Sequence, residues 1–272
     1  MAAQVVHGRI LNVRPSPARA EDHTPAAAVE AGHLSPDDPP GEWDLREPWY
    51  TIADQGKTGS CVGWALADSV LWHQLVSARR LEPDQRLSPR FVWMAAKETR
   101  AKLSEAKGEI DWRPSTFLEQ GDSDVKSALD VARIYGVALE SDLPWKGGLH
   151  DGDIDEFYAA AAERKITHYY RLDPEEESGA AWFAYWRRWI RQHGPVLIAL
   201  GVDRHFAAGQ PVLDAFDAGS LSYYHAAALV GYSEHGFVIR CSWGTDWGKN
   251  GYAAATERYL EQATLETYGV VV

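Results

Sequence analysis

Gln55-Gly56-Lys57-Thr58-Gly59-Ser60-Cys61-Val62-Gly63-Trp64-Ala65 is glycine-rich up to Ser60 and largely apolar beyond it. Ala65, Leu66, Ser69, Val70, Trp72 and Leu75 continue at helical spacing. The pattern predicts a helix that starts at Cys61, with Ser60 as its N-cap, and runs to about Arg80. One of only two cysteines in the chain then sits at a helix N-terminus. A thiolate there faces free backbone N–H groups and the positive end of the helix dipole, so its pKa is expected to fall. A low-pKa thiol is what a cysteine nucleophile needs. The competing reading is a buried structural thiol, because free cysteine is among the most buried residue types.

Two downstream blocks decide between these readings. Tyr224-His225-Ala226-Ala227-Ala228-Leu229-Val230-Gly231-Tyr232 puts a histidine at the head of a small, apolar run. After a short turn come Cys241-Ser242-Trp243-Gly244, then Trp247-Gly248 and Gly251-Tyr252. Together with Gln55, six residues ahead of Cys61, these blocks resemble the papain-like cysteine peptidase family. That family carries Gln-x5-Cys, a His before an Ala/Val-Gly-Tyr strand, and Asn-Ser-Trp-Gly-x-x-Trp-Gly-x-x-Gly-Tyr. Trp43-Asp44-Leu45-Arg46 resembles the start of its mature domain, and Gly136 to Trp145 its Gly-Val-x-x-Glu-x-x-Tyr-Pro-Tyr element. The likeness covers about residues 43 to 272.

The resemblance implies an α+β fold of two lobes with the site in the cleft between them. A helical lobe is expected at about 55–145 and an antiparallel, β-barrel-like lobe at about 160–272. Residues 1–40 form an arm or tail ahead of a peptidase domain spanning 41–272. The resemblance also implies a cysteine-type peptidase in which Cys61 is the nucleophile, His225 holds the proton and Gln55 supplies an oxyanion donor. The family's histidine-orienting Asn falls on Cys241, and a thiol accepts hydrogen bonds poorly. Three outcomes are open: a Cys–His dyad, an ionised Cys241 paired with the imidazolium, or a binding protein without catalysis. A peptide ligase or acyl transferase would use the same site. Gly121-Asp122-Ser123 stands where the family has a Gly-Gly pair that binds substrate backbone, which makes Gly121 and Ser123 candidate substrate contacts. Trp243 matches the residue that shields the histidine.

Composition narrows the partners. The 272 residues carry a net charge of −12, and no Lys/Arg run stands out. Nucleic acid and anionic membranes are therefore poor partners, and a peptide or protein substrate is the expected one. No metal or cofactor is implied, and the oligomeric state is open. There is no run of about 18 apolar residues and no apolar leader segment, and two cysteines cannot build a disulfide framework. These features predict a cytoplasmic location.

Elsewhere the periodicity predicts helices over 90–103, 124–135, 155–163 and 180–193. Strands are expected over 166–172, 195–202, 236–240, 251–254 and 267–272, with loops at 146–153 and 203–222 and an irregular stretch at 107–120. Residues 1–40 are rich in Ala, Pro, Asp and His. Their apolar cluster of Ile10, Leu11 and Val13 predicts an arm that packs on the body; the competing reading is a disordered tail.

Overall fold

The structure is a computed structural model, and it describes residues 4–6, 8–17, 23–37, 39, 41–105 and 123–272. The stretch expected to be irregular at 107–120, and Gly121, lie outside the described residues.

In chain order the strands are β1 (Gln4–Val6), β2 (Arg9–Leu11), β3 (Trp43–Asp44), β4 (His168–Arg171), β5 (Val196–Val202), β6 (Val212–Leu213), β7 (Tyr223–Ser233), β8 (Gly236–Arg240), β9 (Tyr252–Ala255) and β10 (Thr264–Val271). β1 and β2 form a hairpin of their own. The main sheet runs β4-β10-β5-β7-β8-β9-β6, with β3 added to β7. Its pairs are antiparallel except β6 with β9, so the sheet is mixed. The expected barrel-like closure is absent: β4 and β6 are separate edges of an open sheet. The β4 edge is met instead by the N-terminal arm, where the Arg171 N–H donates to the His23 carbonyl at 2.9 Å. Covering an edge in this way removes the need to close it.

The helix bearing Cys61 has three parts: an α-helical turn at Cys61–Gly63, a π-helical stretch at Trp64–Leu71 and an α-helical end at Trp72–Ser77. It stops short of Arg80 because Ala78 caps it and Arg79 turns to φ 56°. Every residue of the π stretch is buried. A helix buried all round packs between layers rather than on a surface. Gly63 makes this possible on one side. A Cβ there would meet the Pro89 carbonyl oxygen at 2.2 Å, so the helix Pro89–Glu105 can approach only a glycine. Ser60 occupies the N-cap position, but its hydroxyl bonds to the Thr58 hydroxyl at 2.6 Å instead of to a helix N–H.

The expected helices near 124–135, 155–163 and 180–193 are Val125–Ile134, Ile154–Ala162 and Gly179–Gln192. The aromatic face of the last one is core: Phe183, Trp186 and Trp189 pack against the sheet. Periodicity did not show the helix Glu257–Ala263, nor the short helix Arg204–Ala207 inside the expected loop. Among the described residues, no helix is long and apolar enough to cross a membrane.

A buried ionic knot joins the two lobes. Arg240, at the end of β8, pairs with Asp68 of the π stretch at 2.8 Å. It also donates to the Ser69 hydroxyl at 2.5 Å and the Thr51 carbonyl at 2.6 Å. Arg86 takes the other Asp68 oxygen at 2.5 Å. Asp68 lies in the helix that Cys61 begins, and Arg240 immediately precedes Cys241. The knot therefore fixes the two cysteine-bearing elements against each other.

Candidate active site

Cys61 is the first residue of its helix and is 0% exposed. The backbone N–H groups of Ala226, the residue after His225, and of Val62 act on its sulfur in favour of the thiolate. The helix N-terminus and β7 thus meet at these side chains. His225 is fully buried on β7, opposite Leu200 of β5. Its ring lies 4.8 Å from the Trp243 ring and 5.7 Å from that of Phe206. Nε2 lies 3.4 Å from the Cys241 sulfur. Nδ1 has no hydrogen-bond partner among the described residues.

Gln55 is fully buried in the same region. The Ser242 hydroxyl donates to its Oε1 at 2.7 Å, and its Nε2 donates to the Thr58 carbonyl at 2.8 Å. The side-chain amide is thereby held by the residue next to Cys241 and by the turn leading to Cys61. Gln55, Cys61, His225, Cys241 and Trp243 therefore share one buried region. Ser123 is buried as well, whereas Gly121 is outside the described residues.

Residues 8–17 explain why nothing in this region meets solvent. Arg9 donates to the Trp243 carbonyl at 2.8 Å and ion-pairs with Asp54. The Asn12 side chain packs against Gly59, two residues before Cys61, where a Cβ would stand 2.0 Å from its Nδ2. Val13 forms a parallel bridge with Ser123, and the Arg14 N–H donates to the Ser123 carbonyl at 3.1 Å. Leu11 and Val13 are 0% exposed. Ile10 borders a cavity of about 240 Å³ with Thr58, Trp93 and Trp145. Farther along, Ala28 of the helix Pro25–Glu30 and Leu34 join the core under the sheet. The arm is a built cover, and its path was not readable from three apolar anchors.

This cover reverses the expected ionisation. Burial pushes the Cys61 thiol up to about 11, although the N–H groups pull the other way. Burial, with a smaller push from Arg9, holds the His225 imidazole down to about 3. With the arm in place the pair is a neutral thiol and a neutral imidazole. The helix dipole loses to desolvation because no water reaches the sulfur. Burial likewise raises the Cys241 thiol, so with the arm in place it is held toward its neutral form. A neutral Cys241 can accept from Nε2–H or donate to Nε2, weakly in either sense.

Sequence reading missed Asp68, Arg240, Arg9 and Asn12. A buried ion pair 172 residues apart leaves no local pattern, and the arm carries none of the quoted motifs. No group of three or more His, Cys, Asp or Glu side chains among the described residues could hold a metal ion.

Comparison with known proteins follows the same lines. The sequence pattern described as papain family cysteine protease matches residues 120–271. Cathepsin F of Mus musculus is 24% identical over 222 residues, which are 78% of this chain and 41% of that protein. Cathepsin J of the same organism is 25% identical over 225 residues, 77% of this chain and 58% of that protein. The chain thus spans about half the length of these two curated relatives. Xylellain, a cysteine protease from Xylella fastidiosa, has the same fold, with a TM-score of 0.73 at 20% identity over 100% of this chain and 99% of that one.

Proposed function

Because the chain belongs to the papain family of cysteine proteases, we propose that it hydrolyses peptide bonds through Cys61 and His225 once the N-terminal arm leaves the cleft. The observation that carries this reading is that Cys61, first in its helix, packs against β7, which bears His225, while the Cys241 sulfur lies 3.4 Å from His225 Nε2. That arrangement leaves Nδ1 as the nitrogen to serve the thiol.

Water entering with the substrate lifts the desolvation that keeps both groups neutral. The proton then moves from the Cys61 sulfur to His225 Nδ1, giving a thiolate and an imidazolium. The thiolate attacks the substrate carbonyl carbon. The backbone N–H of Cys61 and the second Nε2–H of Gln55 donate to the oxyanion, with Ser242 and the Thr58 carbonyl holding the amide in place. His225 gives its proton to the leaving amine. Water, deprotonated by His225, then splits the thioester and regenerates the thiol. Cys241 holds the ring through a weak contact, so the site works as a dyad with reduced orientation. Two free thiols and no disulfide fit a reducing, cytoplasmic setting.

Cys61→Ala and His225→Ala are each expected to abolish hydrolysis of a fluorogenic peptide in chains whose arm has been loosened. Turnover surviving in Cys61→Ala means another nucleophile and ends this reading.

A further inference from the structure

Asp203 is a fully buried carboxylate that the proposed chemistry does not use. It follows β5 and caps the four-residue helix Arg204–Ala207. Its Oδ1 accepts from the Phe206 N–H at 2.8 Å and from the Tyr259 hydroxyl at 3.0 Å, and its Oδ2 accepts from the Asp217 N–H at 2.9 Å. Tyr259 is fully buried in the helix Glu257–Ala263. Burial, with Asp203 as a lesser cause, pushes its phenol up, so it stays protonated and donates. The Phe206 carbonyl is held as well, accepting from Trp247 Nε1 at 2.8 Å and from the Gly209 N–H at 3.0 Å. A helix of one turn does not hold its own shape. Here both backbone groups of Phe206 are fixed by partners outside that turn.

This anchoring aims an aromatic ring at the site. Phe206 is 0% exposed, and its ring lies 5.7 Å from that of His225, 5.3 Å from that of Trp243 and 4.8 Å from that of Trp247. Trp243 itself lies 4.8 Å from His225, so the three rings pack on one another. Phe206 and Trp243 meet edge to face at 83°, a favoured geometry for an aromatic pair. The polar hold on His225 is slight by contrast. Its Nε2 meets only the Cys241 sulfur at 3.4 Å, and Nδ1 has no partner among the described residues. A neutral thiol is a weak donor and a weak acceptor. The outer torsion of a histidine has broad wells, so one weak contact leaves the ring free to tilt.

We infer that Phe206, anchored in this way, is a positioning residue for His225: it sets the plane of the imidazole that the Cys241 sulfur holds only weakly. This rests on the peptidase reading above. Phe206 acts through the His225 ring, and Asp203 acts through Phe206. An amide at position 241 would fix the same ring by a hydrogen bond, so the two devices overlap. The need for Phe206 is therefore greatest where Cys241 stands.

The test measures kcat and KM for a fluorogenic peptide in full chains whose arm has been loosened, with and without Cys241→Asn. Turnover is counted per Cys61 labelled by a peptidyl acyloxymethyl ketone, so partial misfolding does not blur it. Phe206→Leu keeps an apolar side chain and removes the flat ring. With Cys241 in place it is expected to lower kcat roughly 10–100-fold, the scale of a misplacement of about 1 Å at the reacting groups. KM is expected to change less than about twofold. In the Cys241→Asn background the same substitution should cost less than about threefold, because the amide then orients the ring. A merely structural role would lower kcat by the same factor in both backgrounds, and that result overturns the assignment. Unchanged kcat in a folded Phe206→Leu chain that keeps Cys241 overturns it too. Tyr259→Phe takes one hydrogen bond from Asp203 and no ring from the cluster. It is expected to lower kcat by a smaller factor, again only where Cys241 is kept. Should Phe206→Leu fail to fold, unchanged kcat in Tyr259→Phe overturns the assignment in its place. Each of these results leaves the peptidase reading standing. If the loosened parent chain shows no turnover that depends on Cys61, the peptidase reading falls, and this inference with it.

Discussion

Replacing Gly59 with alanine is expected to unseat the N-terminal arm. A Cβ at position 59 would stand 2.0 Å from Nδ2, 2.6 Å from Cγ and 2.9 Å from Oδ1 of Asn12. Ordinary contact begins at 3.4 Å, so Asn12 must retreat by well over 1 Å. It has little room to do so, being 3% exposed between Leu11 and Val13, both 0% exposed. Overpacking of this kind costs about 1–3 kcal/mol. At about 1.4 kcal/mol per factor of ten, the open fraction rises roughly 5- to 150-fold. The assay is the rate of Cys61 alkylation by iodoacetamide, followed by intact mass and peptide mapping. A small reagent reports opening without needing the substrate track. Asn12→Ala removes the overlapping atoms, so adding Gly59→Ala to that background should change the rate less than about threefold. A folded Gly59→Ala protein alkylated at the wild-type rate refutes the reasoning. An equal acceleration in both backgrounds refutes it too, because the effect would then not pass through Asn12.

Cys241→Asn restores a good acceptor at His225 Nε2 and should raise kcat of a loosened chain by roughly tenfold, well short of the ~10⁴ lost when a serine triad loses its orienting member; unchanged turnover would mean that this position does not orient the ring. Gln55→Ala should lower kcat by roughly 10–10³ with little change in KM, as for loss of one oxyanion donor, and a KM effect alone would move Gln55 out of that role. Arg240→Met leaves Asp68 buried with only Arg86 to meet it, and should cost about 3–5 kcal/mol in denaturant unfolding; a loss under about 1 kcal/mol would show that the knot does not hold the lobes.

The Cys61 helix start and the core face of Gly179–Gln192 were legible because each rests on local periodicity, whereas the α+β fold class was carried by the family resemblance of the separated motifs. Cys241 behind His225 was legible for a different reason. Ser242-Trp243-Gly244 follows without a gap, and in a strand a slip of one residue would turn the sulfur away. The π-helical stretch was not legible, since its residues are apolar or small under either helical period. The open sheet was not, because β4 and β6 meet no further strand among the described residues, and the β4 edge is covered by arm residues that carry no strand pattern of their own. The direction of the Cys61 shift was misjudged for a physical reason. Helix position argues for a low pKa, but the outcome depends on whether water reaches the sulfur, and Leu11, Asn12 and Val13 decide that from about fifty residues upstream.

The account stands most directly on the covalent intermediate. A loosened full chain, mixed with an activated peptide ester and quenched in acid within milliseconds to seconds, is read by intact mass and peptide mapping. The prediction is an acyl adduct on the peptide containing Cys61, absent in Cys61→Ala, that decays at the rate at which product appears. An adduct on any other residue, or product formed at the wild-type rate with no adduct on Cys61, would contradict it.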